Sequence, residues 1–301
     1  MSAPAAVLVV GAGGRLGRAL ARADWPAALS PILATRADLD ALDPAAVDAA
    51  LDRHRPAVVL NAAAWTDVDG AEREPEAARR LNRDLPAILA AACARSGARL
   101  LHVSTDYVFD GAADRPYVET DAPNPLGVYG RSKWEGEQAI LAAAPDAVIV
   151  RTAWLVGPDR PGFVTAILDQ ADAGADIRVV EDLYGSPTTT PSLAAALIAV
   201  AARLATDPAA PGGTYHFAGQ GRASWRDLAQ AILDARQAAG GPVAPIVAGR
   251  PADTGPDRAP RPRASPLASQ AMARDYGVTA PPWRQAVADL VGGRVREGGG
   301  R

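Results

Sequence analysis

The stretch VLVVGAGGRLGRAL, residues 7 to 20, constrains this chain more than any other. A continuous apolar run reads as a buried strand and stops at three glycines spaced by three, Gly11, Gly14 and Gly17. Glycines so placed allow a tight turn, a close approach of backbone to a pyrophosphate, and close packing of the following helix. The start of that helix would offer free N–H groups to an anion. Glycines alone would predict only a turn. With a strand before them and a helix after, they predict a dinucleotide site.

The rest of the first half keeps the rhythm that such a turn requires. AAVLVV (5–10), PILAT (31–35), AVVLNAAA (57–64), RLLHVS (99–104) and AVIVRT (147–152) read as strands, nearly all apolar, as strands covered on both faces should be. Helical patterns fall between them near 15–24, 44–54, 84–96 and 128–144, with Asp43-Pro44 and Asp84-Leu85-Pro86 as start signals. This alternation predicts an α/β fold, a Rossmann-type doubly wound parallel sheet. Residues 1–155 form the expected nucleotide-binding domain, with 186–210 returning to it. A smaller C-terminal α/β substrate domain is expected from 156–185 and 211–292, and 293–301 as a frayed tail. Within it, helices are expected at 162–172, 191–206 and 224–238, and strands at 176–181, 213–218 and 243–248. The segment 249–267, dense in Pro and Arg, has the composition of a linker.

The chain of 301 residues is 49% hydrophobic and 22% charged, enough for one large or two modest domains. Its formal net charge is −3 and it has no long basic run, which argues against a nucleic-acid surface. A lone cysteine, Cys93, excludes an intramolecular disulfide and a Cys-rich zinc site, and fits a reducing compartment. His54, His102 and His216 are scattered, and His102, inside a strand, reads as core. Asp67 and Asp69 lack further ligands at useful spacing and read as a capped turn, so no metal is expected. The N-terminus lacks a basic n-region, and no apolar run approaches the ~20 residues of a membrane span. The expectation is a soluble cytoplasmic protein, with a homodimer left open.

Two places carry chemistry. The second strand ends at Thr35-Arg36, where many NAD-binding folds place an acid for the ribose 2′-hydroxyl. Arg36 could instead meet a 2′-phosphate, which favours NADPH over NADH. The fourth strand ends at Ser104, Thr105 and Asp106, and the next helix opens with YGRSK, placing Tyr129 and Lys133 one turn apart. Ligands collect at the carboxyl ends of parallel strands. A free tyrosine has a pKa of about 10, and a nearby ammonium would lower it. Tyr129 could then donate a proton to a carbonyl oxygen as hydride reaches its carbon, with Thr105 bonded to the same oxygen.

These residues, with NAAAWTDVDGAEREPEAARRLN (61–82), STDYVFDG (104–111), NPLGVYGRSKWEGE (124–137), RTAWLVG (151–157) and GSPTTTPSLA (185–194), resemble the extended short-chain dehydrogenase/reductases, and within them the dTDP-4-dehydrorhamnose reductases. The resemblance spans about residues 5 to 290. It implies reduction of the 4-ketone of dTDP-4-dehydro-L-rhamnose to dTDP-L-rhamnose with NADPH or NADH. It implies Thr105, Tyr129 and Lys133 as the catalytic group and Asp106 and Trp154 as sugar contacts. Gly14, Arg15, Leu16, Asp40 and Ala41 would line the cofactor, together with Ala62, Ala63 and Ala64. Arg261 and Arg263, in a family-like RPxxSxL stretch, could pair with the substrate diphosphate. Related dehydratases carry Asp-Glu where this chain has Asp106-Tyr107, so elimination would lack its base. Epimerising reductases use a Cys and a His, and Cys93 lies away from the strand end. Trp65 stands where many members have His. Two other readings stay open: a regulatory subunit like that of methionine adenosyltransferase, and a nucleotide-sugar epimerase.

Overall fold

The computed structural model describes residues 3–158, 162–249 and 258–298. Its centre is a six-stranded parallel sheet of β1 (Ala5–Val10), β2 (Leu29–Ala34), β3 (Val58–Asn61), β4 (Arg99–Thr105), β5 (Val148–Thr152) and a later strand, Gly213–His216, in the spatial order β2-β1-β3-β4-β5 and then that strand. Order reverses between β1 and β3, so their carboxyl ends open a crevice there, the place where doubly wound sheets bind ligands.

Four two-residue strands, β6 (Leu155–Val156), β8 (Tyr184–Gly185), β9 (Thr188–Thr189) and β11 (Ala223–Ser224), form small pairs beside this sheet, and β7 (Ile177–Val179) pairs with β12 (Ile246–Ala248). The edge strand Gly213–His216, β10, was expected in the smaller domain. It pairs with β5 and extends the main sheet instead.

Helices α1 (Arg15–Arg22), α2 (Pro44–His54), α3 (Val68–Arg73), α4 (Pro75–Arg79), α5 (Leu85–Ser96) and α6 (Val128–Ala143) lie in the first half. α7 (Phe163–Asp172), α8 (Thr190–Thr206), α9 (Trp225–Ala238), α10 (Gln270–Tyr276) and α11 (Trp283–Gly298) follow. Alternate residues of each strand face opposite sides. Val7 and Val9 of β1 pack with Leu16 and Leu20 of α1 and Leu197 of α8, whereas Leu8 and Val10 pack with Val47 and Leu51 of α2 and Leu89 of α5. Burial on both faces is why these strands read as unbroken apolar runs. A separate apolar cluster gathers Ile167, Ile177, Leu228, Ile232 and Val287 from α7, β7, α9 and α11. Among the described residues, no helix is long and apolar enough to cross a membrane.

The Asp43-Pro44 signal is sound: the Asp43 carboxylate accepts from Ala45 N at 2.9 Å with proline at the first helical position. Asp84-Leu85-Pro86 is not a start. Helix already runs from Pro75, and α4 passes into α5 through a wider π turn, Arg80–Asp84. Such a turn relaxes the hydrogen-bond spacing just where Pro86 lacks an N–H. The tail differs as well, since α11 continues to Gly298. Of the 249–267 segment, 250–257 lie outside the described residues. The rest of it is bonded to the body, with Tyr117 N donating to Pro266 O and Ser265 N to Tyr184 O.

Candidate active site

At the end of β1 the chain turns at Gly11, with φ 89°. A Cβ there would lie 2.6 Å from Ala63 N, so only glycine lets this turn close against the segment leaving β3. Gly17 has a different task. Its Cβ would meet Gly11 O at 2.3 Å, so it seats α1 on the turn and does not line the cleft. Gly14 caps α1 and carries no side-chain acceptor, which leaves the first turn of the helix to present N–H groups to an anion. Arg15 reaches across the cleft mouth to donate to Leu155 O at 2.9 Å.

One cleft of about 1060 Å³ runs from this turn to the ends of β4 and β5. Gly11, Gly14, Arg15, Leu16 and Arg36 line its outer half, with Asp40 and Ala41. Ala62, Ala63 and Ala64 form its floor, and Thr105, Asp106, Tyr129, Lys133 and Trp154 its inner half. At the β2 end, Thr35 donates through N at 2.9 Å and through Oγ1 at 2.6 Å to Asp38, which holds that carboxylate below its usual range. Asp38 is thus committed to its own turn. Arg36 is exposed on the rim, with no hydrogen bond or ion pair among the described residues.

At the inner end, helix α6 is anchored by a distant residue: Glu72 of α3 accepts from Val128 N at 2.7 Å. Gly130 lets α6 close on the strand end, since a Cβ there would meet Tyr107 O at 2.1 Å. The Tyr129 ring packs edge-on against Tyr107, centroids 5.4 Å apart. Burial pushes the Tyr129 phenol up to about 12, against a smaller lowering by the Thr105 hydroxyl. This corrects the expectation of a phenol tuned downward. Lys133 has no part in the shift, because its Nζ is turned to the β4 backbone, donating to Val103 O at 2.7 Å, with His102 Nε2 at 3.2 Å. Desolvation lowers Lys133 to about 8, partly opposed by Glu137.

The sequence reading missed four residues that build this site. Asn82, wholly buried in the π turn, accepts from Trp65 N at 2.9 Å and donates to Ser132 Oγ at 3.0 Å, tying the cleft floor to α6. His102, taken as plain core, faces Lys133. Trp225 stacks on Trp154 at 3.9 Å and lines the cleft beside it. Ser265 donates to Asp106 at 2.5 Å. Asn82, Trp225 and Ser265 are brought in from far along the chain, whereas His102 lies three residues before Thr105 in β4, and only the RPxxSxL stretch hinted at one of them. Trp154 itself has φ 42°, a region costly for a bulky side chain, and its indole nests against Gly185.

Arg261 does not line the cleft. Its guanidinium pairs with Asp69 at 2.8 Å and donates to Ala259 O, while Arg263 is exposed. Asp67 caps α3 by accepting from Gly70 N at 2.9 Å, as the capped-turn reading has it. Cys93 is buried in α5, and its thiol is pushed up to about 12, the reverse of an activated thiolate.

Asp106 is 2% exposed, and burial raises it to about 6 despite bonds from Ser265 and Thr105. A carboxyl whose folded pKa lies above its unfolded value of about 3.9 loses stability as pH rises through that window, so the charged form is a cost at neutral pH. Asp106→Asn is expected to gain about 1–3 kcal/mol of unfolding free energy at pH 8, a difference that vanishes near pH 4. Urea unfolding at the two pH values checks this.

Comparison with known proteins gives the family. The model of the RmlD substrate binding domain matches residues 5–294. The chain belongs to that family. A relative from Streptomyces griseus, named dTDP-4-dehydrorhamnose reductase, is 44% identical over 250 residues, covering 81% of this chain and 82% of its own. One from Streptomyces niveus, named dTDP-4-keto-6-deoxy-D-glucose reductase, is 39% identical and covers 90% of this chain and 91% of its own. A solved dTDP-4-dehydrorhamnose reductase from Bacillus anthracis, in complex with NADP, superposes with a TM-score of 0.85 at 28% identity, covering 96% of this chain and 98% of that one. In this chain the glycine turn, the strand-end Thr105 and the Tyr129/Lys133 pair line one cleft.

Proposed function

We propose that this protein reduces the C4 ketone of dTDP-4-dehydro-L-rhamnose to the alcohol of dTDP-L-rhamnose, using NADPH. The observation that carries the reading is that Thr105, Tyr129 and Lys133 line the same cleft as the Gly11–Gly14 turn. The residues fit the cofactor: Gly11 lets the turn close tightly against Ala63 at the cleft, α1 opens at a side-chain-free cap, and Arg36 is uncommitted at the rim. When bound, the reduced nicotinamide supplies the hydride.

The chain's own residues manage the proton. The Tyr129 hydroxyl gives its proton to the ketone oxygen, and the Thr105 hydroxyl bonds the same oxygen. A phenol raised to about 12 keeps its proton at neutral pH. Transfer to an alkoxide is still downhill, since an alkoxide is far more basic than a phenolate. Lys133, one turn on, holds the ribose and, when charged, favours the phenolate left behind. Asp106, fixed by Ser265, accepts from a sugar hydroxyl, and the Trp154–Trp225 stack walls the sugar. Arg261 would have to leave Asp69 to reach a diphosphate, so the substrate-end role first given to it is weaker than its structural one.

The Streptomyces niveus relative favours a second reading, with dTDP-4-keto-6-deoxy-D-glucose as the ketone. Purified protein given NADPH and either ketosugar, with GDP and UDP ketosugars as controls, tests both by loss of nicotinamide absorbance. No turnover on any of them, with nicotinamide copurifying, would point to an epimerase instead. Turnover on none and no bound nicotinamide would leave the regulatory-subunit reading.

Arg36→Ala is expected to weaken NADPH about ten- to a hundredfold while leaving NADH nearly unchanged, the worth of one charged hydrogen-bonded phosphate contact. KM values for both cofactors check it.

A further inference from the structure

Lys133 is the only lysine in the chain; every other one of its 31 Lys and Arg residues is arginine. It is also 1% exposed. A guanidinium cannot lose its charge in a protein, whereas an amine can. The one cation placed at the reacting centre is therefore the one able to be neutral.

The hydrogen bonds around it have a direction. The backbone N–H of Ala63 can only donate, and it donates to Asn61 Oδ1 at 3.0 Å. That fixes the Asn61 amide, so its Nδ2 is the atom 2.9 Å from His102 Nδ1. Nδ2 can only donate, so Nδ1 must accept. A neutral imidazole with an accepting Nδ1 carries its proton on Nε2. That N–H points at Lys133 Nζ, 3.2 Å away. An ammonium has no lone pair to receive it, and an amine has one. With the amine neutral, the chain Ala63, Asn61, His102, Lys133 and Val103 O runs donor to acceptor without a break. With an ammonium, two donors must face each other somewhere along it, away from water, since Asn61 and His102 are both fully buried.

We propose that His102 and Asn61 are positioning residues that make Lys133 give up its proton far more readily than a free lysine in the protein on its own. Of the titratable and charged groups on the surrounding elements, Glu137 alone opposes this, and only in part. From β4 there is His102, from the turn after it Asp106, and β3 has none. From α6 they are Tyr129 and Glu137, and Glu137 is taken by Arg151 of β5 at 2.6 Å. Burial of Lys133 acts in the same direction, with a value of about 8. The chain starts at Ala63 on the cleft floor, so the charge on Lys133 is tied to the wall that the proposed cofactor would touch. The inference deepens the reductase reading, but its test needs neither cofactor nor substrate.

Full-length protein made with ¹³Cε-lysine gives one lysine resonance, which reports its own protonation as pH is changed. The expected midpoint lies near pH 8, against about 10.4 for free lysine. Asn61→Asp accepts from both Ala63 and His102, reverses the imidazole tautomer, and is expected to raise the midpoint at least tenfold in proton affinity. His102→Gln, whose amide can present oxygen to the amine, is expected to do the same and serves if the first variant does not fold. A wild-type midpoint near 10.4, or a low midpoint moved by neither variant, overturns the proposal. Normal ketone reduction alongside such a result would leave the function standing, and a normal titration without reduction would leave this inference standing.

Discussion

Tyr129→Phe is expected to cut the turnover of ketone reduction by about 10²–10⁴-fold, the usual worth of a positioned acid. The change removes one oxygen and keeps the ring that packs edge-on against Tyr107, so fold and cofactor affinity should be kept. The loss should fall in kcat rather than in the NADPH dissociation constant, since the proton is needed only as charge develops on the ketone oxygen. Single-turnover rates and NADPH fluorescence titration of the two proteins measure these quantities. A variant that reduces at the wild-type rate would remove Tyr129 as the acid, and with it the mechanism above. Solvent could replace a lost acid only slowly in a cleft walled by Trp154 and Trp225.

The largest expected effect on stability comes from Glu137→Ala. Glu137, one turn beyond Lys133, and Arg151 of β5 are 1% and 5% exposed, and they meet through Nε and Nη2 at 2.6 to 3.2 Å. The Arg151 guanidinium also lies 5.2 Å from the centre of the Phe109 ring. Removing the carboxylate leaves a buried cation without its counter-ion, at a cost of about 3–5 kcal/mol. Replacing both partners with apolar residues of similar size, Glu137→Leu with Arg151→Met, should recover most of that loss, because the desolvation of both charges is then avoided. Urea unfolding of the two single variants and the double variant gives the coupling directly. A single variant as stable as the wild type would show that the pair contributes nothing to the core.

Much of the frame was legible from residue order. Strands covered on both faces must be apolar throughout, so β1, β3, β4 and β5 announced themselves, and the glycine spacing marked where β1 turns into α1. Local chemistry also carried well: Asp43 before Pro44 and Asp67 before Gly70 are caps that need only a few neighbouring residues. Signals that depend on distant partners did not carry. Asp84-Leu85-Pro86 looked like a beginning because the preceding turn is π rather than α, which residue type does not encode. β10 looked like part of a second unit because its role depends on the open edge of β5. The linker-like loop proved to supply Ser265 and the Asp69 partner Arg261, since composition says nothing of what a loop lies against.

The residue order alone settled five of the sheet's six strands, the glycine turn after β1 and the membership of Thr105, Tyr129 and Lys133 in one neighbourhood, because strand ends and helix starts of this topology must meet. It could not settle their charge. Whether a phenol is lowered or raised, whether an amine is charged, and whether an arginine is free for ligand or held by Asp69 depend on burial and on partners tens to nearly two hundred residues away. Those are energies of desolvation and hydrogen-bond direction, and they exist only once the chain has closed around the site.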